Sequence, residues 1–171
     1  MEFEALIQAR RSVRGFTEQA VESEKLHKII QAAALAPSAG NQQAYEIYQV
    51  TLPKARAALA RAADQPFVAQ APLCLVFFAN PGRSARKYGA RGHTLYSLQD
   101  ATIAATYAML AVADLGLATV WVGAFNDDAV ASAIGAPGDW RPVAILPIGY
   151  GAEVPGPVER RPISEMVHML A

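Results

Sequence analysis

The stretch "ATIAATYAMLAVA", Ala101 to Ala113, flanked by Asp100 and Asp114, decides the fold. It is the longest apolar segment of the chain and falls well short of the roughly 20 residues that span a bilayer. It reads as a helix running from about Leu95 to Leu115. Apolar residues on nearly every side require it to be enclosed all round, by its own core or by a second subunit. The other elements must therefore be layered around it.

Upstream, "ESEKLHKIIQAAALA" (Glu22 to Ala36) sets Leu26, Ile29, Ile30 and Ala33 at the spacing of one helical face, and Pro37 ends the run. "PSAGNQQ" (Pro37 to Gln43) is then a loop at a helix C-terminus. "YEIYQV", "PLCLVFFAN", "LATVWVGAF" and "RPVAILPIGY" read as strands, with helices at Pro53 to Ala63 and Asp127 to Ile134. The order lacks a strict βαβ rhythm, and the first strand follows two helices. The expectation is an α+β fold, a mixed β-sheet flanked by helices, in one domain over residues 1–171. The Gly- and Pro-rich tail from Gly149 to Pro162 reads as an extended surface arm, and Ile163 to Leu170 as a short closing helix. Pro81 to Thr94, with Arg83, Arg86, Lys87 and Arg91, reads as a loop. Its cations either cover a site and attract an anion or are simply solvated.

Fifteen Lys and Arg balance fifteen Asp and Glu, which argues against a general nucleic-acid binder. Basic charge that matters must be focused on a small anion. Alanine, roughly a fifth of the chain, favours helix. Cys74, the single cysteine, can form no internal disulfide and reads as a buried strand thiol. The N-terminus lacks the basic start and apolar block of a signal peptide, so the expected compartment is the cytoplasm, with no membrane partner.

Several chemistries are set aside. His27, His93 and His168 are scattered without ligand spacing, so no metal site is expected. There is no G-x-S-x-G elbow and no Walker A sequence, and "GYGAEV" lacks the third glycine of a dinucleotide fingerprint. What stands out is "RRSVRGF" (Arg10 to Phe16). Arg10, Ser12 and Arg14 fall on one side of an extended segment, and Arg10 and Arg14 share a face in a helix. Arg160 and Arg161 form a second basic pair at the other end. The two clusters either close on one phosphate monoester or are a solvated helix end and a solvated tail.

"RRSVRGF", "LAPSAGNQQAYEIYQV", "LGLATVWVGAF" and the terminal "GY...E.P....RRP", in this order, resemble the flavin-dependent nitroreductase family, and "KYGARGHTLYSLQDATIAATYAMLAVADLGL" is similar to its compact members. The resemblance covers nearly the whole chain. It implies a homodimer with FMN at the subunit interface. "RRSVR", Arg11 included, would bind FMN, with Arg10 and Ser12 on the phosphate and ribityl side, Arg160 and Arg161 assisting, and Arg14 near the N1 and C2 carbonyl of the ring. Pro37 and Ser38 would lie against the partner's flavin, with Asn41 and Gln43 as polar contacts. Gln65 occupies a position where the family often has an amide on the pyrimidine edge; a turn residue is the alternative. Backbone N–H groups of Gly123 and Ala124 would face N5 and O4.

Two departures from the family pattern stand out: Ala44-Tyr45 where Pro-Trp is frequent, and "AATYAML" without the Gln-Asn often seen in the long helix. The implied reaction is ping-pong hydride transfer from NADH or NADPH through flavin N5 to an electron-poor small molecule such as a nitroaromatic or quinone. The cofactor carries the chemistry, so no side chain is assigned as catalytic. The alternatives are a specialised flavin oxidase or dehydrogenase of the same fold, or a non-catalytic flavin-binding protein.

Overall fold

The computed structural model describes residues 2–170. Its central strand, β2 (Leu73–Ala79), is buried at every residue. It pairs antiparallel with β1 (Tyr45–Val50) on one side and β4 (Arg141–Gly149) on the other. A two-residue strand, β3 (Ala118–Thr119), completes the order β1-β2-β4-β3. All three ladders are antiparallel; the parallel element is a bridge from Ser12 to Thr119 on the outer side of β3.

Side chains alternate along a strand, so Leu73, Leu75 and Phe77 point to one face of the sheet and Cys74, Val76 and Phe78 to the other. The first set packs with Ile29 and Ala33 of α2 (Ser23–Ala34) and with Ala104, Ala105, Ala108 and Val112 of α6 (Ser97–Asp114). The second meets Leu59 of α3 (Pro53–Ala62), Val68 of the short α4 (Phe67–Gln70) and Val130 of α7 (Asp127–Ile134). Helices on both faces explain why β2 is a continuous apolar run rather than an alternating one. The α+β expectation holds. Enclosure of α6 is incomplete within one chain, since Thr102, Thr106 and Tyr107 are exposed.

Local chemistry sets several boundaries. Asn126 caps α7 by accepting the Ala129 N–H at 2.8 Å, Asp127 and Asp128 sit at the positive end of the helix, and Gly135 ends it at φ +66°. Asn80 caps α5 (Pro81–Arg91) through the Arg83 N–H at 3.0 Å, with Pro81 pre-set for the first turn.

That helix corrects the expectation of a loop from Pro81 to Thr94. After a break at Gly89, the chain passes through a π-turn, Gly92–Tyr96, directly into α6. A Cβ at Gly92 would stand 2.6 Å from the Ser84 carbonyl oxygen, so only glycine allows the turn to pass so close to α5. The predicted closing helix, Ile163 to Leu170, reduces to a 3-10 turn, Ile163–Glu165. Its apolar residues are exposed, and a short helix with nothing to pack against is marginal. The strand expected over "LATVWVGAF" shrinks to β3 and a single bridge from Val122 to Ile145. A short helix at the N-terminus, α1 (Phe3–Ala9), leads into Arg10.

Burial pushes the Cys74 thiol up to about 12, and its Sγ–H is directed at the Val68 carbonyl, 3.6 Å away. The thiol is expected to stay unreactive toward an aromatic disulfide reagent at pH 8 until the protein unfolds. Labelling faster than global unfolding, measured by amide exchange, would contradict the two-sided burial of β2.

Candidate functional site

The two ends of the chain meet because the sheet edge holds both. Val13 donates its N–H to Thr119 O at 3.1 Å, Thr17 to Tyr150 O at 2.8 Å, and Ala152 to Gly15 O at 3.0 Å. Residues 12–17 are thus stitched to β3 on one side and to the exit of β4 on the other. Val13 turns into the core, while Arg10, Arg11, Ser12 and Arg14 line an open cleft of about 760 Å³. Pro155, Gly156, Pro157, Val158 and Arg160 of the tail form its other wall. The extended alternative for "RRSVR" is therefore the observed one. The cleft has the size of a small-ligand site.

The cations differ in freedom. Arg11 is turned back on α1, its Nη1 donating to the carbonyls of Gln8 and Arg10. Arg14 Nη1 reaches Ser12 O at 3.5 Å, at the limit of a hydrogen bond. Arg161 lies apart from the cleft and reaches Glu165 at 4.0 Å. Of the predicted cationic set, Arg10, Arg11, Arg14 and Arg160 converge.

Beside this cleft is a second one, of about 300 Å³, that shares Arg10 and Arg11 and adds Thr119, Tyr150 and Glu153. Thr119 Oγ1 is buried there without a hydrogen-bond partner. Thr119 thus leaves an unpaired hydroxyl, among the described residues, in the wall of a cleft that two arginines also line. Sequence reading passed over Thr119, whose only sign was a polar residue inside an apolar strand pattern.

Pro37, Ser38, Asn41 and Gln43 lie away from the arginine cleft. Pro37 and Ser38 line a separate cavity of about 570 Å³ against α6, floored by Asp100, Thr102 and Ile103. The loop is tightly wound: Gly40, Asn41 and Gln43 all have positive φ, and Ser38 Oγ accepts the Gln43 N–H at 2.9 Å. Two residues outside the predicted set hold it in place. The buried Asp100 carboxyl accepts the Ala39 N–H at 2.9 Å and the Ala44 N–H at 3.2 Å, bracketing the loop. Tyr88 of α5 abuts Gly40, where any Cβ would collide with its hydroxyl. Asp100 stood in the sequence as a mere flank of the apolar run; its signal was a carboxylate on the buried side of that helix.

Ala44 and Tyr45 are built into their own chain. Ala44 is fully buried, and Tyr45 Oη donates to Ala33 O at 3.2 Å. Burial first, and then the charge of Asp100, push the Tyr45 phenol above its ordinary value.

Gly123 and Ala124 are exposed just beyond the Val122 bridge, and among the described residues their N–H groups take no acceptor. The Asn126 N–H donates to Ala62 O at 2.9 Å, which sets this turn beside the end of α3, close in sequence to Gln65. Gln65 is half-buried, and its backbone closes the α3–α4 turn through Ala60 O and the Val68 N–H. Among the described residues no group of three or more His, Cys, Asp or Glu is placed to hold a metal ion, and no helix is long and apolar enough to cross a membrane.

The profile of the Nitroreductase family matches residues 7–65 and 54–150. A protein of Thermus thermophilus named NADH dehydrogenase is 29% identical over 92% of this chain and 91% of its own length. An FMN reductase (NADPH) of Bacillus subtilis is 27% identical over 92% of this chain and 69% of its own. Among solved structures, a nitroreductase family protein from Clostridium difficile superposes with a TM-score of 0.86 at 30% identity, covering 98% of both chains. The NADPH:FMN oxidoreductase of Vibrio harveyi, solved with NAD+, gives 0.88 at 29% identity over 97% of this chain and 76% of that one.

Removing the Asp100 carboxyl leaves two loop N–H groups without their acceptor. Asp100→Ala is expected to destabilise the protein by about 3 kcal/mol, within the usual range for hydrogen bonds to a charged group. Amide exchange at Ala39 and Ala44 should accelerate ahead of the rest of the chain. Unchanged protection at both amides would show that the loop is held by something else.

Proposed function

The chain belongs to the nitroreductase family, and on that premise we propose that it is an FMN-dependent oxidoreductase that takes hydride from NADH or NADPH. The observation that carries the reading is the convergence of Arg10, Ser12 and Arg14 from one terminus and Arg160 from the other on one cleft. An arginine fork binds phosphate in two places at once, and two such forks from opposite ends of a chain suit a phosphate monoester. The names of the relatives point the same way.

When bound, FMN would supply the redox chemistry, accepting hydride at N5 and passing electrons to an acceptor in a ping-pong cycle. The chain's own part is to bind, orient and tune. Arg10, Ser12 and Arg160, with Arg11 beside them, would hold the phosphate and ribityl side, while Arg161, which reaches Glu165 outside the cleft, would have to turn in to assist. Arg14, the most exposed of the N-terminal set, would stand toward the ring edge, where a fixed cation stabilises negative charge. The unclaimed N–H groups of Gly123 and Ala124 are donors suited to ring heteroatoms, with Gln65 close by. No side chain is assigned a proton-transfer role. The acceptor is proposed as a nitroaromatic or quinone.

We also propose a homodimer of single-domain chains, each spanning 1–171. Pro37 and Ser38 line a cavity separate from the arginine cleft of the same chain, and Asn41 and Gln43 lie on the same loop outside that cleft, so a second copy is the natural way to bring them to one flavin. Exposed apolar residues at both ends, among them Phe3, Val154, Val158, Ile163 and Met169, are surface such a partner would cover. The lone buried thiol fits a reducing compartment, for which we propose the cytoplasm.

Anaerobic titration of FMN-loaded protein with NADH, then NADPH, should bleach the flavin stoichiometrically. Arg10→Ala and Arg160→Ala are each expected to weaken FMN roughly 10- to 100-fold in a fluorescence titration, with little change in Tm. Undiminished affinity in the double variant would remove the phosphate assignment. Light scattering should give a dimer, and a monomer that retains FMN would overturn the shared site.

A further inference from the structure

Helix α5 contains four cations: Arg83, Arg86 and Lys87 share one face by helical spacing, and Arg91 follows the break at Gly89. It has no acidic residue. None of the four lies within 4.0 Å of a carboxylate among the described residues, in a chain with zero net charge. This is a concentrated cationic surface without internal compensation.

Two of these cations are anchored on the loop that carries the proposed flavin contacts. Arg83 donates through Nε alone to Gln42 O, leaving its terminal nitrogens free, and Lys87 Nζ stands 3.4 Å from Gly40 O. Among the described residues Arg86 takes no hydrogen-bond or ion-pair partner. Arg91 lies 5.4 Å over the ring of Tyr96 and donates to its hydroxyl at 3.0 Å. Tyr96 in turn lines the 570 Å³ cavity with Pro37, Ser38 and Ala39, and Tyr88 meets it edge-on at 5.1 Å. Cations thus flank that loop from α5 and from the turn into α6, beside an open cavity with an aromatic wall.

With a flavin beside Ser38, a dinucleotide stacked on it would have these cations, which touch the loop and the cavity wall, within reach of its phosphates. NADH carries a pyrophosphate; NADPH adds a dianionic phosphate on the adenosine ribose, and a helix of uncompensated cations discriminates most strongly for that added charge. We infer that the Arg83, Arg86 and Lys87 face of α5 binds the 2′-phosphate of NADPH and makes it the preferred reductant. The inference rests on the flavin reading above, because it needs the loop at residues 37–43 to border the cofactor.

Steady-state kinetics of the FMN-loaded protein should give a kcat/KM for NADPH at least tenfold above that for NADH. The advantage should shrink as salt rises from 50 to 300 mM. The double variant Arg83→Ala, Lys87→Ala is expected to lose about tenfold in kcat/KM for NADPH, chiefly through KM, and to lose clearly less for NADH. Calorimetry gives a readout independent of turnover: the FMN-loaded wild type should bind adenosine 2′,5′-bisphosphate more tightly than 5′-AMP, and the double variant should not distinguish them. Equal kcat/KM for both reductants in the wild type, or an equal fall for both in the variant, overturns the 2′-phosphate assignment while flavin bleaching stands. Failure to bind or bleach flavin would instead overturn the reading on which it rests, and the two failures separate cleanly.

Discussion

A sheet covered by helices on both faces can offer polar groups only at its edges and at the ends of its strands, and this constraint governs the molecule. β2 spends its side chains on two cores, one under α2 and α6 and the other under α3, α4 and α7. Recognition is therefore displaced to the perimeter. Ser12 and Arg14 lie along the outer side of β3, the loop at residues 37–43 precedes β1, and Gly123 and Ala124 follow the last pairing at Val122. Each perimeter segment is tied to the interior by a few hydrogen bonds: Val13 to Thr119, Thr17 to Tyr150 and Ala152 to Gly15 for the first, Asp100 to Ala39 and Ala44 for the second, Asn126 to Ala62 for the third. Those few bonds convert core rigidity into position for exposed side chains, as a preorganised binding site requires.

Much of this was legible in the sequence where periodicity and caps were strong. The i, i+3, i+4, i+7 pattern of α2 and the two-sided apolar run of β2 both survive in the structure, and α7 keeps its limits. The misses have physical causes. α5 reads as a loop because Gly82, Gly89 and Gly92 break its composition, yet Asn80-Pro81 is a helix start, Gly89 serves a bend and Gly92 a close approach to Ser84. The closing helix has the right apolar spacing but no surface in its own chain to bury it against. Of the site, "RRSVR" was readable because charge on a short extended segment needs no tertiary information. Asp100 and Thr119 were not, since their meaning lies in which N–H groups and arginines the fold brings near them, and no local pattern encodes that.

Charge follows the same division. The cations gather at residues 10–14, 83–91 and 160–161, whereas many carboxylates stand apart at helix starts, as Glu24 in α2 and Asp127 and Asp128 in α7 do. Carboxylates at helix N-termini stabilise the helices locally, and Glu24 and Asp127 pair with Lys28 and Arg141 rather than with the clusters at 10–14 and 83–91. Net zero charge therefore coexists with clusters of cations at the perimeter, the arrangement that the proposed small-anion site requires.

The two walls of the arginine cleft are not equally secured. Arg10 to Arg14 are held by pairing with β3 and with the exit of β4, but from residue 152 to 170 only Pro155 is even half-buried. Fixing such a segment costs about 1–2 kcal/mol per residue in backbone entropy, and its own chain offers little burial in return. On the proposed reading, the placement of Arg160 would be stabilised from outside the chain, by an anion bridging to Arg10, by a second copy covering the apolar side chains of the arm, or by both acting together. Binding that requires the ordered arm must also promote its order, and by linkage the anion and the second copy strengthen each other through the same segment. If the cleft binds the cofactor of a dimer as proposed, cofactor affinity and assembly would form one coupled equilibrium, with the N-terminal wall as its fixed part and the arm as its variable one.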